Sequence, residues 1–298
     1  VKHLLSMEQL TKAAIIKILN LADQMKYEQK NGIAHEVLKG KQLAMIFAKP
    51  STRTRVSFEV GINQLGGHAL FLSKSDIQLG SSESIEDTAK VLSRYVDGIM
   101  IRTFDQCDVE ELALHADIPI INGLTDSSHP CQILADLMTM REYLTVLEGK
   151  IIAWVGDGNN VCQSLMVGAT TMEMKMRVAT PVGYEPNAAL LDRLGSNVLL
   201  THDPKEAVAG ADVVVTDVWT SMGQEAETKK RLEVFAPYQL NRELMNLAKD
   251  HAIVQHCLPA HKGEEITEDV FNQHAHAIYE EAENRLHAQK AVMALLMQ

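Results

Sequence analysis

Leu43-Ala44-Met45-Ile46-Phe47-Ala48-Lys49-Pro50-Ser51-Thr52-Arg53-Thr54-Arg55 is the stretch on which the fold class turns. Its first six residues carry no charge and read as a strand buried on both faces. Pro50 breaks the run, and Ser51 to Arg55 then read as the opening turn of a helix, where hydroxyl side chains cap N–H groups that have no acceptor within the helix. A buried strand feeding a helix is half of a parallel βα unit.

The same rhythm extends outward in both directions. Upstream, Thr11 to Lys30 reads as an amphipathic helix on Ala14, Ile18, Leu21 and Met25, with Asn31-Gly32 as its stop. Downstream, Ala69-Leu72, Gly98-Ile101 and Ile118-Ile121 read as further buried strands, and a long helix follows Pro130 on Ile133, Leu137, Met140, Tyr143 and Leu144 toward Gly149. Strands then recur at Ile151-Val155, Arg177-Thr180, Val198-Leu200, Val213-Thr216 and Ala252-Gln255. Helices fall near Asn160-Glu173, Pro186-Leu194, Lys229-Phe235, Arg242-Lys249 and Glu280-Met297. The expected fold class is α/β: two domains, each a mostly parallel sheet flanked by helices, with the active site in the cleft between them.

At 298 residues the chain is long enough for two domains, and 46% hydrophobic with 22% charged residues is ordinary globular composition. A net charge of −11 argues against a nucleic-acid surface, which needs a basic stripe. Cys107, Cys131, Cys162 and Cys257 are scattered without paired spacing, as in reduced thiols. The N-terminal residues do not resemble a secretion signal and no apolar run reaches membrane-spanning length, so the expected location is cytoplasmic, with no membrane partner.

Open α/β sheets bind ligands beyond the carboxyl ends of their strands, and those positions carry the unusual residues. Ser51, Thr52, Arg53, Thr54 and Arg55 form an anion cradle, in which helix N–H groups, hydroxyls and guanidiniums all favour phosphate; the same residues also suit a plain cap followed by a solvated basic turn. Arg102 ends an apolar strand, which suits either an anion or a surface ion pair. His129, in His129-Pro130-Cys131-Gln132, stands at a helix start as a cap or as a donor. Ser73 to Glu83 is a polar, glycine-containing loop, followed by a possible capping box of Ser84 and Asp87.

Asp217, in Asp217-Val218-Trp219-Thr220-Ser221-Met222-Gly223, follows a strand and reads either as a partner for an ammonium group or as a helix cap. Gly156-Asp157-Gly158-Asn159-Asn160 is close to a dinucleotide loop, but Val161 replaces its third glycine. His256, Cys257 and His261 do not make a structural zinc pattern, so neither metal nor cofactor is expected. Glu281-Ala282-Glu283-Asn284-Arg285 is, by pattern alone, a charged helix start.

Ser51 to Arg55 with Ser57-Phe58-Glu59, together with His129-Pro130-Cys131-Gln132, resembles the signatures of the aspartate and ornithine carbamoyltransferases. The resemblance runs in order from Ser51 to Arg285. Asp217 with Ser221-Met222-Gly223, and His256-Cys257-Leu258-Pro259, are similar to the members whose acceptor is ornithine. It implies a carbamoyl phosphate-binding domain over residues 1–136 plus 284–298, and an ornithine-binding domain over 137–283.

The resemblance also implies roles for single residues. Carbamoyl phosphate would be held by Ser51, Thr52, Arg53, Thr54, Arg55, Gln78, Arg102, His129, Gln132, Cys257, Leu258 and Arg285, with Arg53, Arg102, His129 and Cys257 catalytic. Asn160, Asp217, Ser221 and Met222 would hold L-ornithine. Gln78 would reach the site of a neighbouring subunit in a homotrimer. A phosphate- or nucleotide-binding module without catalysis would explain the cradle and the glycine turn, but not the full set of motifs.

Overall fold

The computed structural model describes residues 2–75, 77, 83–221 and 225–298. Gln78 and Met222 lie outside the described residues. The chain divides into two compact units, Val1–Met138 with Glu283–Gln298, and Thr139–Ala282.

The first unit runs α1 (Lys12–Lys30), β1 (Gln42–Phe47), α2 (Thr52–Gln64), β2 (His68–Ser73), α3 (Ile85–Leu92), β3 (Gly98–Arg102), α4 (Gln106–His115), β4 (Ile120–Leu124) and the start of α5 (Pro130–Leu144). Its strands form a parallel sheet in the order β2-β1-β3-β4. Ala44, Ile46, Ile99, Ile101 and Ile120 form the core under it with Val109 and Leu112 of α4. β2 is a correction to the expectation of a buried strand. It occupies the sheet edge, where Leu70 and Phe71 are exposed, because an edge strand has a neighbour on one side only.

The second unit continues from α5 through β5 (Ile151–Val155), α6 (Asn160–Thr171), β6 (Lys175–Ala179), α7 (Ala188–Leu194), β7 (Val198–Thr201), α8 (Pro204–Val208), β8 (Val213–Thr216), α9 (Thr228–Phe235), α10 (Arg242–Met245), β9 (Ile253–His256) and α11 (Glu268–Met297). Its sheet is also parallel, ordered β7-β6-β5-β8-β9. Ala153, Val155, Val214 and Val254 pack there with Tyr238, Leu240, Phe271 and Ile278. In both units the expected parallel α/β rhythm is present.

Several local expectations shift for physical reasons. Thr11 caps α1 by accepting from the Ala14 amide at 3.2 Å, and Gly32 at φ 68° takes the left-handed conformation after it. The buried stripe of α1 is Ile15, Ile18, Leu19, Ala22 and Met25, rotated from the one read through Ala14 and Leu21. β4 begins at Ile120 rather than Ile118, and α10 stops at Met245 instead of reaching Lys249. α8 was not anticipated; Asp203 caps it and Pro204 opens it. α11 starts at Glu268, well before Glu280, because Val270, Phe271 and Ile278 bury one face of the segment against the core of the second unit.

α11 returns to the first unit for its last turns and packs against α2 at Gly61, where an added Cβ would stand 3.1 Å from Met293 Cε. Beside that contact, buried Lys290 donates to Gln29 Oε1 and Gln64 Oε1, both at 2.9 Å, and lies 3.0 Å from His35 Nε2. A lysine can only donate, so His35 accepts at Nε2 and carries its proton on Nδ1, which faces Glu28 at 3.3 Å and the Ile33 carbonyl. Burial brings the Lys290 ammonium down to about 8, with the Glu28 charge opposing.

This lysine has a pH signature opposite in sign to that of a salt-bridged one. Its folded pKa of about 8 lies below the ordinary 10.5, so between those values the unfolded chain binds more protons and stability rises with pH. Urea midpoints at about pH 8 and about pH 10 for the wild type and Lys290→Met measure it. The wild type is expected to gain on the variant as pH rises; parallel profiles would remove Lys290 as the source.

Candidate active site

In the first unit the cradle forms where β1 ends. The Ala48 amide donates to the Arg102 carbonyl at 2.8 Å, and Phe47 pairs with Arg102 in the parallel register, so both strand ends stand at one level of the sheet. Ser51 is the extended N-cap of α2, its Oγ accepting from the Thr54 amide at 3.2 Å. The cap is therefore real, and it opens a helix whose first turn points N–H groups outward.

The side chains of this run then separate. Thr54 is buried, Arg53 is half-buried and Thr52 is exposed. Arg55 turns aside: its guanidinium lies 3.8 Å from the Phe71 ring centroid and its Nε 3.6 Å from Glu59. Successive helical residues point about 100° apart, so Arg53 and Arg55 leave on nearly opposite sides of α2.

Arg102 is buried at the end of β3, which rules out an exposed ion pair. His129, immediately before α5, is also buried. Burial first, then the charges of Arg285, Arg102 and Arg53, hold its imidazole well below the ordinary range. His129 is thus a neutral ring among three guanidiniums, a concentrated positive field in a chain of net charge −11. Neutral imidazole can still donate one N–H.

Arg285 of α11 completes this group. Its Nη1 donates to Gln132 Oε1 at 2.8 Å, its Nη2 to Thr54 Oγ1 at 3.2 Å and its Nε to Gln289 Oε1 at 3.0 Å. Gln289 Nε2 passes on to Ser57 Oγ at 2.7 Å, and Gln132 Nε2 donates to Asp136 Oδ1 at 2.8 Å. Sequence reading found Arg285 and Gln132 but missed Asp136 and Gln289. Their spacing was a signal, since each sits four residues along a helix from its partner.

A second constellation lies wholly within the other unit. Asn159 caps α6, its Oδ1 accepting from the Val161 and Cys162 amides at 3.0 Å, while its Nδ2 donates to Asp217 Oδ2 at 2.8 Å. Asp217 Oδ1 accepts from the Val218 amide at 2.8 Å and from Cys257 Sγ at 3.1 Å. Among the described residues Asp217 is the N-cap of no helix; it is a buried carboxylate held from three sides.

Asn160, half-buried, begins α6 with its Oδ1 near the Val161 amide, and Ser221 is the last described residue before 225. The loop carrying Ser221 is tied to the glycine turn by Arg231, which donates at Nη1 to Asp157 Oδ2 at 2.7 Å and to the Trp219 carbonyl at 2.9 Å. Gly158 explains why the turn is not a dinucleotide loop. A Cβ there would sit 2.4 Å from the Pro186 nitrogen, so the close approach that glycine permits is already taken by the protein's own backbone.

Cys257 is half-buried beyond β9 and Leu258 follows at φ 59°. His256, Cys257 and His261, which make no zinc pattern in the sequence, fall into two separate groups: donor atoms of His256 and Cys257 lie within 4.8 Å of Asp217, while His261 lies with Glu264 and Glu265. His256 accepts from the Leu258 amide at Nδ1 and meets buried Glu265 at Nε2, both at 2.9 Å. Its ring is committed to shaping the β9 turn. Glu265 also accepts from the His261 amide at 2.6 Å.

Comparison with known proteins agrees with this geometry. Residues 2–142 match the family model described as aspartate/ornithine carbamoyltransferase, carbamoyl-P binding domain, and residues 148–296 match its Asp/Orn binding domain. An ornithine carbamoyltransferase of Carboxydothermus hydrogenoformans is 58% identical over 303 residues, covering 99% of this chain and 97% of that protein. The one from Archaeoglobus fulgidus is 50% identical at the same coverage. The solved structure of the Pyrococcus furiosus ornithine carbamoyltransferase superposes with a TM-score of 0.95 at 51% identity, covering 99% of this chain and 97% of that one. With two family models spanning nearly its whole length and relatives this similar, the chain belongs to the aspartate/ornithine carbamoyltransferase family.

Proposed function

We propose that this protein transfers the carbamoyl group of carbamoyl phosphate to the δ-amine of L-ornithine, giving L-citrulline and phosphate, in arginine metabolism. The observation that carries the reading is the neutral His129 enclosed by Arg53, Arg102 and Arg285 beside the opening of α2. That set suits a ligand bearing both a carbonyl and a phosphate, because guanidiniums hold the phosphate while the imidazole N–H donates to the carbonyl oxygen.

In this reading the neutral δ-amine attacks the carbonyl carbon, the C–O bond to phosphate breaks with its electron pair leaving on the phosphate, and the departing phosphate takes the proton that the attacking nitrogen gives up. Arg53, Arg102 and His129 stabilise the charge that develops on oxygen, Gln132 meets the carbamoyl NH₂, and Ser51, Thr52, Thr54 and Arg285 complete the phosphate cradle, while Arg55 is turned to Phe71 and Glu59. Ornithine binds in the second unit, its α-ammonium on Asp217, with Asn160, Ser221 and Met222 fixing the rest. Cys257 and Leu258 flank the reacting groups. Support for ornithine over aspartate comes from Asp217, braced by Asn159 and Cys257 as an anionic receptor, and from relatives named for ornithine.

We further propose a homotrimer in which Gln78 reaches a neighbouring subunit. Val56 and Val60, one helical turn apart on α2, are exposed, as are Leu70 and Phe71 on the edge strand β2. Apolar side chains on an open sheet edge are a liability for a monomer and an asset for an assembly. No helix among the described residues is long and apolar enough to cross a membrane, which fits the proposed cytoplasmic location.

The decisive assay incubates the protein with carbamoyl phosphate and ornithine, aspartate or putrescine. Citrulline alone is expected; carbamoyl aspartate or carbamoyl putrescine as the main product would replace the proposed acceptor. Asp217→Asn is expected to raise the ornithine KM roughly tenfold to a hundredfold, the loss of one charge-assisted contact, while the KM for carbamoyl phosphate holds. Cys257→Ala should lower kcat or raise the ornithine KM, and unchanged constants would take Cys257 out of the site. Light scattering on Val60→Asp should show dissociation of the assembly together with loss of activity.

A further inference from the structure

Gln132 is an amide, and an amide can present either its carbonyl or its NH₂ to a ligand. Which end faces the cradle is fixed by its neighbours. At one end stands Arg285, whose guanidinium can only donate; at the other stands Asp136, whose carboxylate can only accept. The reversed amide would set NH₂ against guanidinium and carbonyl against carboxylate, losing two charge-assisted hydrogen bonds within a buried site. Arg285 Nη2 lies on Thr54, so the Arg285 end of the amide is the end at the cradle.

We infer that Asp136, a residue four positions along α5 from Gln132, is a specificity-determining positioning residue: by holding the Gln132 NH₂ it turns the carbonyl oxygen to the cradle, and so selects acyl phosphates whose acyl group bears N–H. This inference rests on the proposed reading of the first unit as the carbamoyl phosphate site. Asp136 touches no reacting atom in it and acts through Gln132. Its consequence is discrimination against a methyl group of nearly the same size, as in acetyl phosphate. A buried acceptor left facing a methyl group loses its hydrogen bond, whereas one facing N–H keeps it.

The same device explains why Asp136 is buried at 1% exposure although it belongs to the most water-seeking class of side chains. A carboxylate so placed needs donors. The Gln132 amide is one of them. An asparagine in its place would fill the same volume but could itself donate or accept, and would leave the Gln132 amide held at its Arg285 end alone.

The test compares two unreactive ligands, phosphonoacetamide, which carries NH₂, and 2-oxopropylphosphonate, which carries CH₃ at the same position, by calorimetry on the full-length wild type and Asp136→Asn. The wild type is expected to prefer the amide by on the order of tenfold or more, about 1.4 kcal/mol, and the variant to lose most of that preference. Loss of affinity for both ligands in equal proportion would mark Asp136 as merely structural and overturn the inference. If the variant does not fold, the wild type alone decides, since equal affinity for the two ligands excludes an enforced acceptor at Gln132. Failure of the functional reading is separately visible, as absence of citrulline from carbamoyl phosphate and ornithine.

Discussion

The guanidinium of Arg285 is the constraint on which the first unit depends. It is nearly fully buried, a costly place for a cation, and it is tolerable only because its N–H groups find oxygen on α2, α5 and α11 itself. Those bonds fix the rotation of three helices about one point. The charge of Arg285, with those of Arg102 and Arg53, adds to the burial that holds the His129 ring neutral. Structure and electrostatics are therefore one device here: the group that ties the helices is the group that makes an anion welcome.

A comparable economy governs the second unit. Asp217 gathers the ends of three strands, since Asn159 follows β5, Asp217 itself follows β8 and Cys257 follows β9. Hydrogen bonds from an amide side chain, a backbone N–H and a thiol hold the carboxylate in place before any ligand arrives. Such preorganisation is the physical meaning of a strand-end site on a parallel sheet. The sheet supplies the level, and short turns deliver the groups.

Much of this was legible in the sequence, and the parts that were not share a cause. Strands such as Ile151–Val155 and Val213–Thr216 declared themselves because burial on both faces leaves uninterrupted apolar runs. β2 looked the same but lies at an edge, and its apolar residues give no local pattern that distinguishes an edge strand from a central one. The early turns of α11 hid because Val270, Phe271 and Ile278 are too few and too widely spaced, among polar residues and alanines, to give a clear periodic signal. In the site, motif residues were found while the ones that brace them, Asn159, Asp136, Gln289 and Arg231, were not. For Asn159 and Arg231 the bracing joins residues far apart in the chain, 58 positions to Asp217 and 74 to Asp157, whereas Asp136 and Gln289 sit four positions from their partners, a local spacing that reading by motif passed over. Arg55 shows the opposite error: it sits within the motif, yet helical geometry sends it to Phe71.

Gly158 carries a lesson for how glycine-rich turns evolve and are redesigned. Its missing side chain is filled by the Glu185–Pro186 backbone, so the pocket that a nucleotide would need is closed from inside. Converting this turn into a cofactor loop would take more than restoring the third glycine at Val161. The 185–186 segment would first have to move away, and with it the Tyr184 carbonyl that the Gly158 amide now uses. The turn thus has the outline of a nucleotide-binding loop while being sterically barred from that trade, a commitment written in one backbone contact.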